Sequence, residues 1–457
     1  MASTATTAQP IALGSQAPQD GPDGPPLPAV AQTLAWAFMP TALLDFCARR
    51  RGESFTLTFA PSGRRFTVIS DPAAVKTLLT APADVAPSAA GDSPIASVLG
   101  PSSVITLTGP EHMRQRKLLL PQFHGERMRA YEQTIVDATE RDMAGWTLGK
   151  PMNFGRRTRA ITLAVIMRAV FGVQDEQAGN LERAIRKLAE PTRALSILRF
   201  ALSQSLDRPG GSLGAALDQL DALIYEELAR RREQADLAER EDILSLLLQA
   251  RDEQGRAMTD GELRDELVSL LLAGHETTAT ATAWAIERLV RHPDKLDRLV
   301  AEVDRASEDG GSEDDYMQAV VHETLRVRPV VPGVVRRLAQ PLRLGAHELP
   351  AGTRVMASIY LTNRNPRVYA RPREFVPERF LQNAPDTFAW IPFGGGIRRC
   401  IGASFAMLEM KLMLRTMLRE LRPALPGNGR RRVGELSRRR AVTLVPAAGA
   451  RVAWTRR

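Results

Sequence analysis

The chain has 457 residues, of which 44% are hydrophobic and 25% charged, and this composition is typical of a globular protein. Its formal net charge is +9, but aromatic residues make up only 5% and no basic stretch alternates with stacking side chains, so no nucleic-acid partner is expected. Only two cysteines are present, Cys47 and Cys400, which argues against a disulfide framework and favours the cytoplasm.

The N-terminal segment is predicted to carry no chemistry. Residues 1–26 are rich in Ala, Thr, Gly and Pro and have no hydrophobic period, so we expect them to be disordered or loosely ordered. The remainder, 27–457, is predicted to form a single domain. Its first apolar stretch, 27–44, is interrupted by polar residues and proline and lacks the basic region of a signal peptide, so neither a membrane anchor nor export is expected.

A small sheet and a series of helices follow. Segments 54–59 and 65–69 alternate with period two around Pro61-Ser62-Gly63 and predict a hairpin, after which Asp71 caps a predicted helix. A further helix after Thr108 places His112 and Arg116 four residues apart, on one face. From about 130 to 255, apolar residues recur at helical spacing and predict successive helices.

The most extended helical pattern begins at the capping box Thr259-Asp-Gly-Glu262 and continues to about Arg291, roughly 32 residues or about 48 Å. Within its apolar stripe lies a polar run, Ala273-Gly-His-Glu-Thr-Thr278, which costs stability unless it serves a function. The run does not fit a zinc protease box, because position 279 is Ala279 and not histidine. The pair His322-Glu323 fails in the same way, since position 326 is arginine.

The C-terminal third combines a helix with short strands. Glu323 and Arg326 lie three apart on a helix predicted over 316–327, where an isolated pair of this kind carries little meaning. Apolar segments 330–335 and 354–359 predict strands, and the first leads into Arg336 and Arg337. Segments 441–445 and 450–454 flank Pro446-Ala-Ala-Gly449 and predict a terminal hairpin.

The stretch Pro392-Phe-Gly-Gly-Gly-Ile-Arg-Arg-Cys-Ile-Gly402 leads directly into an apolar helix. Three successive glycines are interpreted as room for a bulky, flat group close to the backbone, and Cys400 is expected near a helix N-terminus that favours the thiolate. Three interpretations of this cysteine compete: a buried inert thiol, a nucleophile paired with a distant histidine, and a soft anionic ligand for iron. The third also explains the glycines.

The spacing of Phe393, Gly396, Arg398, Cys400 and Gly402 resembles the cysteine-ligand signature of the cytochrome P450 family of haem-thiolate monooxygenases. The resemblance covers roughly residues 27–457 and implies a mainly α fold with small β-sheets, in which a long central helix lies over the haem and the cysteine loop beneath it. It implies that Cys400 is the axial ligand of the haem iron, that Arg398 pairs with a propionate, and that Phe393 packs beside the sulfur. Gly394 and Gly402 are expected to contact the cofactor.

Four further motifs resemble the family in the same order. The helix with His112 and Arg116 is similar to the one that binds a haem propionate, and Arg336, or by an alternative alignment Arg337, matches the remaining propionate contact. The polar run resembles the oxygen-activation motif, which implies a proton-delivery role for Glu276 and Thr277 and space for dioxygen beside Ala273 and Gly274. The family also buries a structural triad, which corresponds here to Glu323, Arg326 and Arg379.

The implied function is insertion of one oxygen atom from O2 into a hydrophobic small molecule such as a terpenoid, fatty acid, steroid or other secondary metabolite. The implied cofactor is haem b, and the implied electron donors are a ferredoxin and its reductase, with NAD(P)H as the ultimate source. Arg399, Arg114 and Lys117 are candidates for the surface that meets an acidic donor, although such charges also serve solubility. A cytoplasmic monomer is expected.

The positions of substrate contacts follow from the resemblance alone. The apolar segments 95–98, 330–335 and 446–449 match places where the family lines its pocket, and 195–202 with 209–213 match its mobile lid. Two rival functions are a peroxide-driven peroxygenase and a haem-thiolate sensor or carrier. The acid–threonine pair argues against the first, and the oxygen-activation motif argues against the second.

Overall fold

A computed structural model of the chain describes residues 21–93, 95–125, 127–172, 179–181, 183–185, 211–308, 314–382, 386–427 and 434–457. The helices are α1 (Ala29–Phe38), α2 (Pro40–Arg51), α3 (Pro72–Thr80), α4 (Ala96–Leu99), α5 (Gly109–Leu119), α6 (Arg127–Ala144), α7 (Phe154–Phe171), α8 (Gly211–Arg232), α9 (Ile243–Gln249), α10 (Asp260–Leu289), α11 (Pro293–Glu308), α12 (Asp315–Val327), α13 (Ile359–Thr362), α14 (Arg379–Gln382) and α15 (Ala403–Glu420). Single 3₁₀ turns lie at Ala90–Asp92, Leu120–Phe123, Leu237–Glu239 and Gly396–Arg398.

Short strands form small sheets at the edges of this helical body. They are β1 (Ser54–Phe59), β2 (Arg64–Ile69), β3 (Met152–Asn153), β4 (Val334–Arg337), β5 (Leu342–Leu344), β6 (His347–Leu349), β7 (Arg354–Ala357), β8 (Leu421–Ala424), β9 (Ser437–Arg440), β10 (Thr443–Pro446) and β11 (Arg451–Arg456). The largest sheet has the order β1-β2-β7-β4, and the others are β3-β11-β8, β9-β10 and β5-β6. In the largest sheet β2 and β7 run parallel, while the other two pairs are antiparallel.

The long helix α10 forms as its sequence predicts. The Thr259 hydroxyl accepts from the Glu262 amide at 3.3 Å, and the Glu262 carboxylate accepts from the Thr259 amide at 2.7 Å, so the predicted capping box is confirmed. The helix spans 30 residues and ends at Leu289, two residues before the predicted end. Leu263, Leu267 and Leu271 are fully buried and anchor its apolar stripe.

Helices α7 and α15 both pack against α10. The Thr162 hydroxyl of α7 donates to the His275 carbonyl at 2.9 Å. Thr282 Oγ1, seven residues further along α10, lies 3.9 Å from Met413 Sδ of α15. The contact of Thr162 with His275 therefore fixes the position of the polar run against α7.

Some local predictions differ from the structure. Segments 441–445 and 450–454 do form strands, but the predicted hairpin between them is wrong: β10 pairs with β9, and β11 pairs with β3 and β8. The hairpin turn instead joins β9 to β10, and within it Ala441 adopts a φ of 50°. Residues 21–26 lie against β1, where the Pro22 carbonyl accepts from the Thr56 hydroxyl at 2.6 Å.

Arg438, Arg439 and Arg440 belong to strand β9. Only Arg438 of the three is exposed, and Arg439 and Arg440 are half-buried. Residues 1–20 and the proposed lid segment 195–202 lie outside the described residues, as does the first part of 209–213. No helix in the described ranges is both long and apolar enough to cross a lipid bilayer.

Candidate functional site

The cysteine loop folds tightly against the end of α3. The Cys400 amide donates to the Phe393 carbonyl at 2.9 Å, which closes the loop before α15 begins. A Cβ at Gly396 would lie 2.0 Å from the Leu79 carbonyl oxygen, and a Cβ at Gly395 would lie 3.1 Å from Leu79 Cδ1. A side chain at Gly396 would clash with the backbone of α3, and one at Gly395 would be tight against Leu79, so these two glycines also serve packing on α3. Of the three, Gly394 has the most space beside it, with Val334 Cγ1 at 3.8 Å.

The side chain of Cys400 is exposed on one side, but protein surrounds the sulfur on the others. This partial enclosure raises the pKa of the thiol, and the Gly402 amide and the cations Arg399 and Arg116 only partly oppose the rise. Helix α15 starts at Ala403, three residues after the sulfur, so the expected effect of the helix dipole is small. Without a metal, the surroundings of Cys400 therefore favour the thiol more than the predicted helix N-terminus suggested, and a bound cation would stabilise the thiolate.

Four cationic or basic side chains from three elements meet near this loop. His112 and Arg116 come from α5, Arg336 from β4 and Arg398 from the turn before Cys400. Burial, followed by the charges of Arg398, Arg116 and Arg336, lowers the pKa of His112 to about 4, so this histidine is neutral at pH 7. Burial and the other two arginines lower the pKa of Arg398 to about 10.

No carboxylate in the described part of the chain forms an ion pair with Arg116, Arg336 or Arg398. Burying positive charge without a counterion is costly. Such a group of arginines is stabilised by an anionic ligand that approaches from outside the protein, and guanidinium groups suit carboxylates in particular. This cluster fits the carboxylates of a haem beside a sulfur ligand.

The structure separates the two adjacent arginines that the sequence left as alternatives. Arg336 is 7% exposed and, with His112 and Arg398, lines a shared cavity. Arg337 points to the other face of the strand, where it pairs with Asp92 at 3.5 Å. Only Arg336 lies within reach of the cluster.

The loop between α4 and α5 connects this cluster to the central helix. Its Ser102 and Val104 amides donate to Asp265 and Glu266 of α10, at 2.8 and 2.7 Å. On the opposite side, Arg398 donates to the Ile105 carbonyl at 3.2 Å. The guanidinium that lies two residues before Cys400 is thus oriented by a loop that α10 itself holds in place.

The polar run of α10 divides into two faces. Ala273 is exposed and Thr277 half-buried, although Leu271 and His275 on the same helix are buried. Gly274 faces α7, where a Cβ would lie 3.1 Å from Ile166 Cδ1. The small size of Gly274 therefore serves helix packing, and of the two small residues only Ala273 lies on the open face. The Thr277 hydroxyl donates to the Ala273 carbonyl at 2.6 Å.

Glu276 is half-buried, and its cationic neighbours could not be predicted from the sequence. Its Oε1 lies 3.6 Å from Arg440 Nη1. Burial raises the pKa of Glu276, and the charges of Arg440 and Arg159 oppose the rise. Arg440 comes from β9 and Arg159 from α7, so no local pattern in the sequence could have placed them at this carboxyl.

Glu409 on α15 is a second buried carboxyl that the sequence analysis missed. Desolvation raises its pKa to about 8, so it is largely protonated at pH 7, and it shares a hydrogen bond with the Thr278 side chain. Its only sequence signal is a charged residue within an otherwise apolar stretch, nine positions after Cys400.

The three residues of the predicted triad are brought together. Arg326 Nε donates to Glu323 Oε2 at 2.6 Å, and Arg379 Nε donates to Glu323 Oε1 at 3.1 Å. Arg326 also donates to the carbonyls of Pro372 and Glu374, at 2.8 and 2.9 Å. The triad therefore connects α12 to the segment that leads towards the cysteine loop.

Some residues that were predicted to meet the redox partner or the substrate contact other parts of the protein. Arg114 forms ion pairs with Asp252 at 2.6 Å and Glu262 at 2.5 Å, so its charge is neutralised and it is wrong as a docking candidate. Lys117 pairs with the exposed Glu253 at 2.6 Å, whereas Arg399 is exposed and forms no ion pair within the described ranges. Segment 446–449 connects β10 to β11, and its Gly449 carbonyl accepts from the Gly155 amide at 2.9 Å.

Metal binding by protein side chains alone is not supported. Among the described residues, no group of three or more His, Cys, Asp or Glu side chains is arranged around a common point. A metal held by Cys400 must therefore receive its other ligands from a cofactor. A porphyrin supplies four nitrogen ligands, and its carboxylates match the cationic cluster.

Comparison with known proteins gives one family throughout. The family model described as Cytochrome P450 matches residues 22–446. A Mycobacterium tuberculosis protein named as cytochrome P450 137 is 38% identical over 450 residues, which cover 94% of this chain and 90% of that protein. A Mycobacterium bovis protein named as cytochrome P450 135B1 is 36% identical over 434 residues, with the same coverage of 94% and 90%.

Solved structures show the same fold. A cyanobacterial CYP120A1 with bound retinoic acid has a TM-score of 0.80 and 25% identity, and the match covers 97% of this chain and all of that one. The haem domain of cytochrome P450DA has a TM-score of 0.81 and 22% identity, and the match covers 95% and 97% of the two chains.

Proposed function

The chain belongs to the cytochrome P450 family, and on that premise we propose that it inserts one oxygen atom from O2 into a hydrophobic small molecule, with electrons from a ferredoxin and its reductase. Membership makes the chain a haem-thiolate monooxygenase that binds dioxygen and a substrate and requires a redox partner. The observation that carries the proposed site is the carboxylate-free cluster of Arg116, Arg336 and Arg398 beside Cys400.

The proposed cofactor is haem b, held without covalent attachment to the porphyrin. Attachment through a thioether bond needs a reactive cysteine beside the porphyrin, and the one cysteine other than the proposed ligand, Cys47, is fully buried with a pKa raised to about 11 by desolvation. Cys400 provides the iron ligand, and Arg116, Arg336 and Arg398 hold the propionates. When bound, the haem supplies the redox-active iron at which dioxygen is activated.

The protein's own contribution is orientation and proton supply. The Phe393 carbonyl fixes the Cys400 amide at 2.9 Å, which sets the direction of the sulfur. The Thr277 hydroxyl donates to the carbonyl of the exposed Ala273 at 2.6 Å, one helical turn away, and we propose that it delivers a proton on this open face of α10. Burial raises the pKa of Glu276, and the charges of Arg440 and Arg159 oppose the rise. We propose that this carboxyl exchanges protons one residue away from Thr277.

An apolar substrate fits the described surroundings. Val334 Cγ1 lies 3.8 Å from the Cβ position of Gly394, so the apolar segment 330–335 meets the cysteine loop. Val331 and Ile95 are half-buried and apolar, and Ala273 presents only a methyl group on the open face of α10. These surfaces support a substrate with a large apolar part, such as a terpenoid, fatty acid or steroid, above a small and wholly polar metabolite.

The proposed donor is an acidic protein. Arg399 lies next to the iron ligand, is exposed and has no carboxylate partner in the described ranges, so it can attract an acidic ferredoxin. The scarcity of cysteines and the burial of Cys47 support a reducing compartment, and we propose the cytoplasm.

A two-armed turnover assay tests this proposal. The haem-loaded protein is first screened with a library of apolar compounds for a shift of the haem iron from low to high spin. Compounds that give the shift are then incubated either with ferredoxin, its reductase and NAD(P)H, or with hydrogen peroxide alone. We expect a product that contains one additional oxygen atom only with the electron donors. Product formation with peroxide alone identifies a peroxygenase instead, and absence of product in both arms contradicts the monooxygenase proposal.

A further inference from the structure

Residues 100–107, the loop between α4 and α5, rest on α10 through three neighbouring contacts. Two are amide hydrogen bonds to carboxyls, and the third joins two serine hydroxyls that lie 2.6 Å apart. The three pairs are Ser102 with Asp265, Ser103 with Ser269, and Val104 with Glu266. The same loop carries the carbonyls that accept from the Arg398 guanidinium. How firmly the loop rests on α10 therefore decides how firmly this arginine is oriented.

The two carboxyls that hold the loop have different surroundings. Arg264 Nη1 lies 2.9 Å from Asp265 Oδ1, so the charge of Asp265 is balanced. Glu266 is fully buried, and although its Oε1 accepts from the Val104 amide, its Oε2 has no hydrogen-bond partner among the described residues. A buried carboxylate without a cation costs far more free energy than a neutral carboxyl at the same place.

The charges around Glu266 also favour its neutral form. Burial raises the pKa of Glu266 to about 8, the negative Asp265 and Glu262 of α10 add to the rise, and the Val104 amide opposes it. Among the described residues, no other charge shifts this pKa. The 100–107 loop has no ionisable side chain.

Cations of the neighbouring helices are already paired. Arg264 lies 2.7 Å from Asp221 of α8 in addition to its contact with Asp265, and Arg114 of α5 lies 2.5 Å from Glu262. Ionisation of Glu266 would therefore place a charge in the core with no cation to balance it.

We propose that Glu266 carries a proton in the folded protein and that this proton keeps the 100–107 loop on α10. Loss of the proton leaves a buried carboxylate that only water can solvate, and water reaches it when the loop separates from the helix. The carbonyls that orient Arg398 move with the loop. Glu266 is thus a positioning residue for Arg398, and its effect on the haem rests on the proposed pairing of Arg398 with a propionate.

The proton gives this contact a defined pH dependence. With the loop in place the pKa of Glu266 is about 8, and with the loop released it returns towards the ordinary value of 4.5. Between these two values, release of the loop is accompanied by release of the proton. Loop release therefore becomes easier as the pH rises, by at most about tenfold per pH unit.

Hydrogen exchange and haem transfer on the full-length, haem-loaded protein test the proposal between about pH 6 and 8. Mass spectrometry gives the exchange rate of the 100–107 amides, and transfer to an apoprotein acceptor gives the rate of haem loss. The unsubstituted protein is compared at each pH with Glu266→Gln, which keeps an oxygen for the Val104 amide and cannot ionise. We expect the ratio of unsubstituted to variant rates to rise about tenfold over this range for both measurements.

Glu409→Gln is the matched control. Desolvation also raises the pKa of Glu409 to about 8, but this carboxyl shares its hydrogen bond with Thr278 and not with the loop. The substitution should leave the pH dependence of loop exchange and of haem loss unchanged.

The proposal is overturned if the ratio for Glu266→Gln does not change with pH, or if Glu409→Gln reproduces the effect. Should Glu266→Gln fail to fold, the unsubstituted protein decides alone: loop exchange that is independent of pH after correction for the intrinsic exchange rate overturns the proposal. A pH-dependent loop with constant haem loss supports the role of Glu266 in holding the loop and contradicts the pairing of Arg398 with a propionate.

Discussion

Arg336 and Arg337 occupy neighbouring positions of one strand and nevertheless have different surroundings. Because side chains alternate across a strand, Arg336 joins His112 and Arg398, while Arg337 meets Asp92. Chemistry at the residue scale is thus decided by which side of a strand or helix a side chain occupies. The same holds on α10, where Gly274 faces α7 and Ala273 lies on the open face.

Arg336→Leu is expected to weaken haem retention. A hydrogen bond to a charged group contributes about 1.5–3 kcal/mol, so the rate of haem loss should rise roughly tenfold or more. The measurement is transfer of haem to an excess of an apoprotein acceptor, followed by absorbance. Arg337→Leu is the matched control and should change the rate less than twofold. Equal rates of haem loss in the two variants would contradict the assignment of Arg336.

Thr277→Ala is expected to leave the haem bound while diverting electrons from product to hydrogen peroxide, because the Oγ1 proton is lost. The ratio of product formed to NAD(P)H consumed should fall severalfold once a substrate has been found. Thr277→Ser, which keeps the hydroxyl, should restore most of that ratio. Full coupling in the alanine variant would refute a proton-delivery role for Thr277.

Two buried carboxyls should make stability depend on pH. Desolvation raises the pKa of Glu266 and of Glu409 from 4.5 to about 8. Between pH 4.5 and about 8, each of these two carboxyls keeps its proton in the folded chain but has lost it in the unfolded chain. The free energy of unfolding therefore falls as the pH rises through this range. Each group contributes a slope of at most about 1.4 kcal/mol per pH unit.

The slope can be measured from urea unfolding midpoints between about pH 5 and 8. Glu409→Gln keeps a neutral side chain of similar shape and should flatten the decline. Glu253→Gln changes an exposed carboxylate and should leave the decline unchanged. A pH dependence that is identical in the Glu409→Gln variant would show that this carboxyl does not titrate in that range.

At the scale of elements, buried ion pairs join helices to loops. The Glu323 and Arg326 side chains are fully buried, and the pair ties α12 to the segment around Pro372 and Glu374. Removing one partner leaves an uncompensated buried charge, at a cost of about 3–5 kcal/mol. Glu323→Ala should therefore lower the unfolding midpoint strongly and reduce haem incorporation.

The control for this prediction is an ion pair of the same spacing on the surface. Arg371 and Glu374 are also three apart and lie 3.0 Å from each other, but their side chains are 67% and 56% exposed. Glu374→Ala should cost less than about 1 kcal/mol. A similar loss of stability in both variants, measured by thermal unfolding, would contradict a structural role specific to the buried triad.

Local sequence signals predicted where helices and strands lie better than they predicted which elements pack or pair with each other. The capping box at Thr259 located the start of α10 because its interactions span three residues. Period two identified β10 and β11 but not their pairing, since alternation defines a strand's faces and not its neighbour. The contacts of Glu276 with Arg440, and of Glu409 with Thr278, join residues more than 100 positions apart. No pattern within one helix or strand contains that information.

Much of the proposed site could be predicted because its chemistry is concentrated in short motifs. The residues around Cys400 predict the proposed ligand, and spacing along β4 left Arg336 and Arg337 as alternatives that only the strand's orientation separates. The sequence did not reveal that Gly395 and Gly396 also pack on α3, because their neighbour, Leu79, lies more than 300 positions earlier. Packing against a distant element is indistinguishable in sequence from space for a ligand.

At the scale of the whole molecule, a chain of hydrogen bonds connects the long helix α10 to Arg398 and the cysteine loop. Helix α10 holds the loop between α4 and α5, this loop orients Arg398, and Arg398 lies two residues before Cys400. The net charge of +9 is consistent with a basic surface around Arg399 for an acidic donor. Each of these assignments depends on a thiolate bond between Cys400 and haem iron.

The most direct test is the absorption spectrum of the reduced, carbon monoxide-treated, haem-loaded protein. The unsubstituted chain should show the long-wavelength band of thiolate ligation, and Cys47→Ala should keep it because that thiol is buried away from the site. Cys400→Ala should lose the band completely. Retention of the thiolate band in Cys400→Ala, or its absence from the unsubstituted protein, would contradict the central claim.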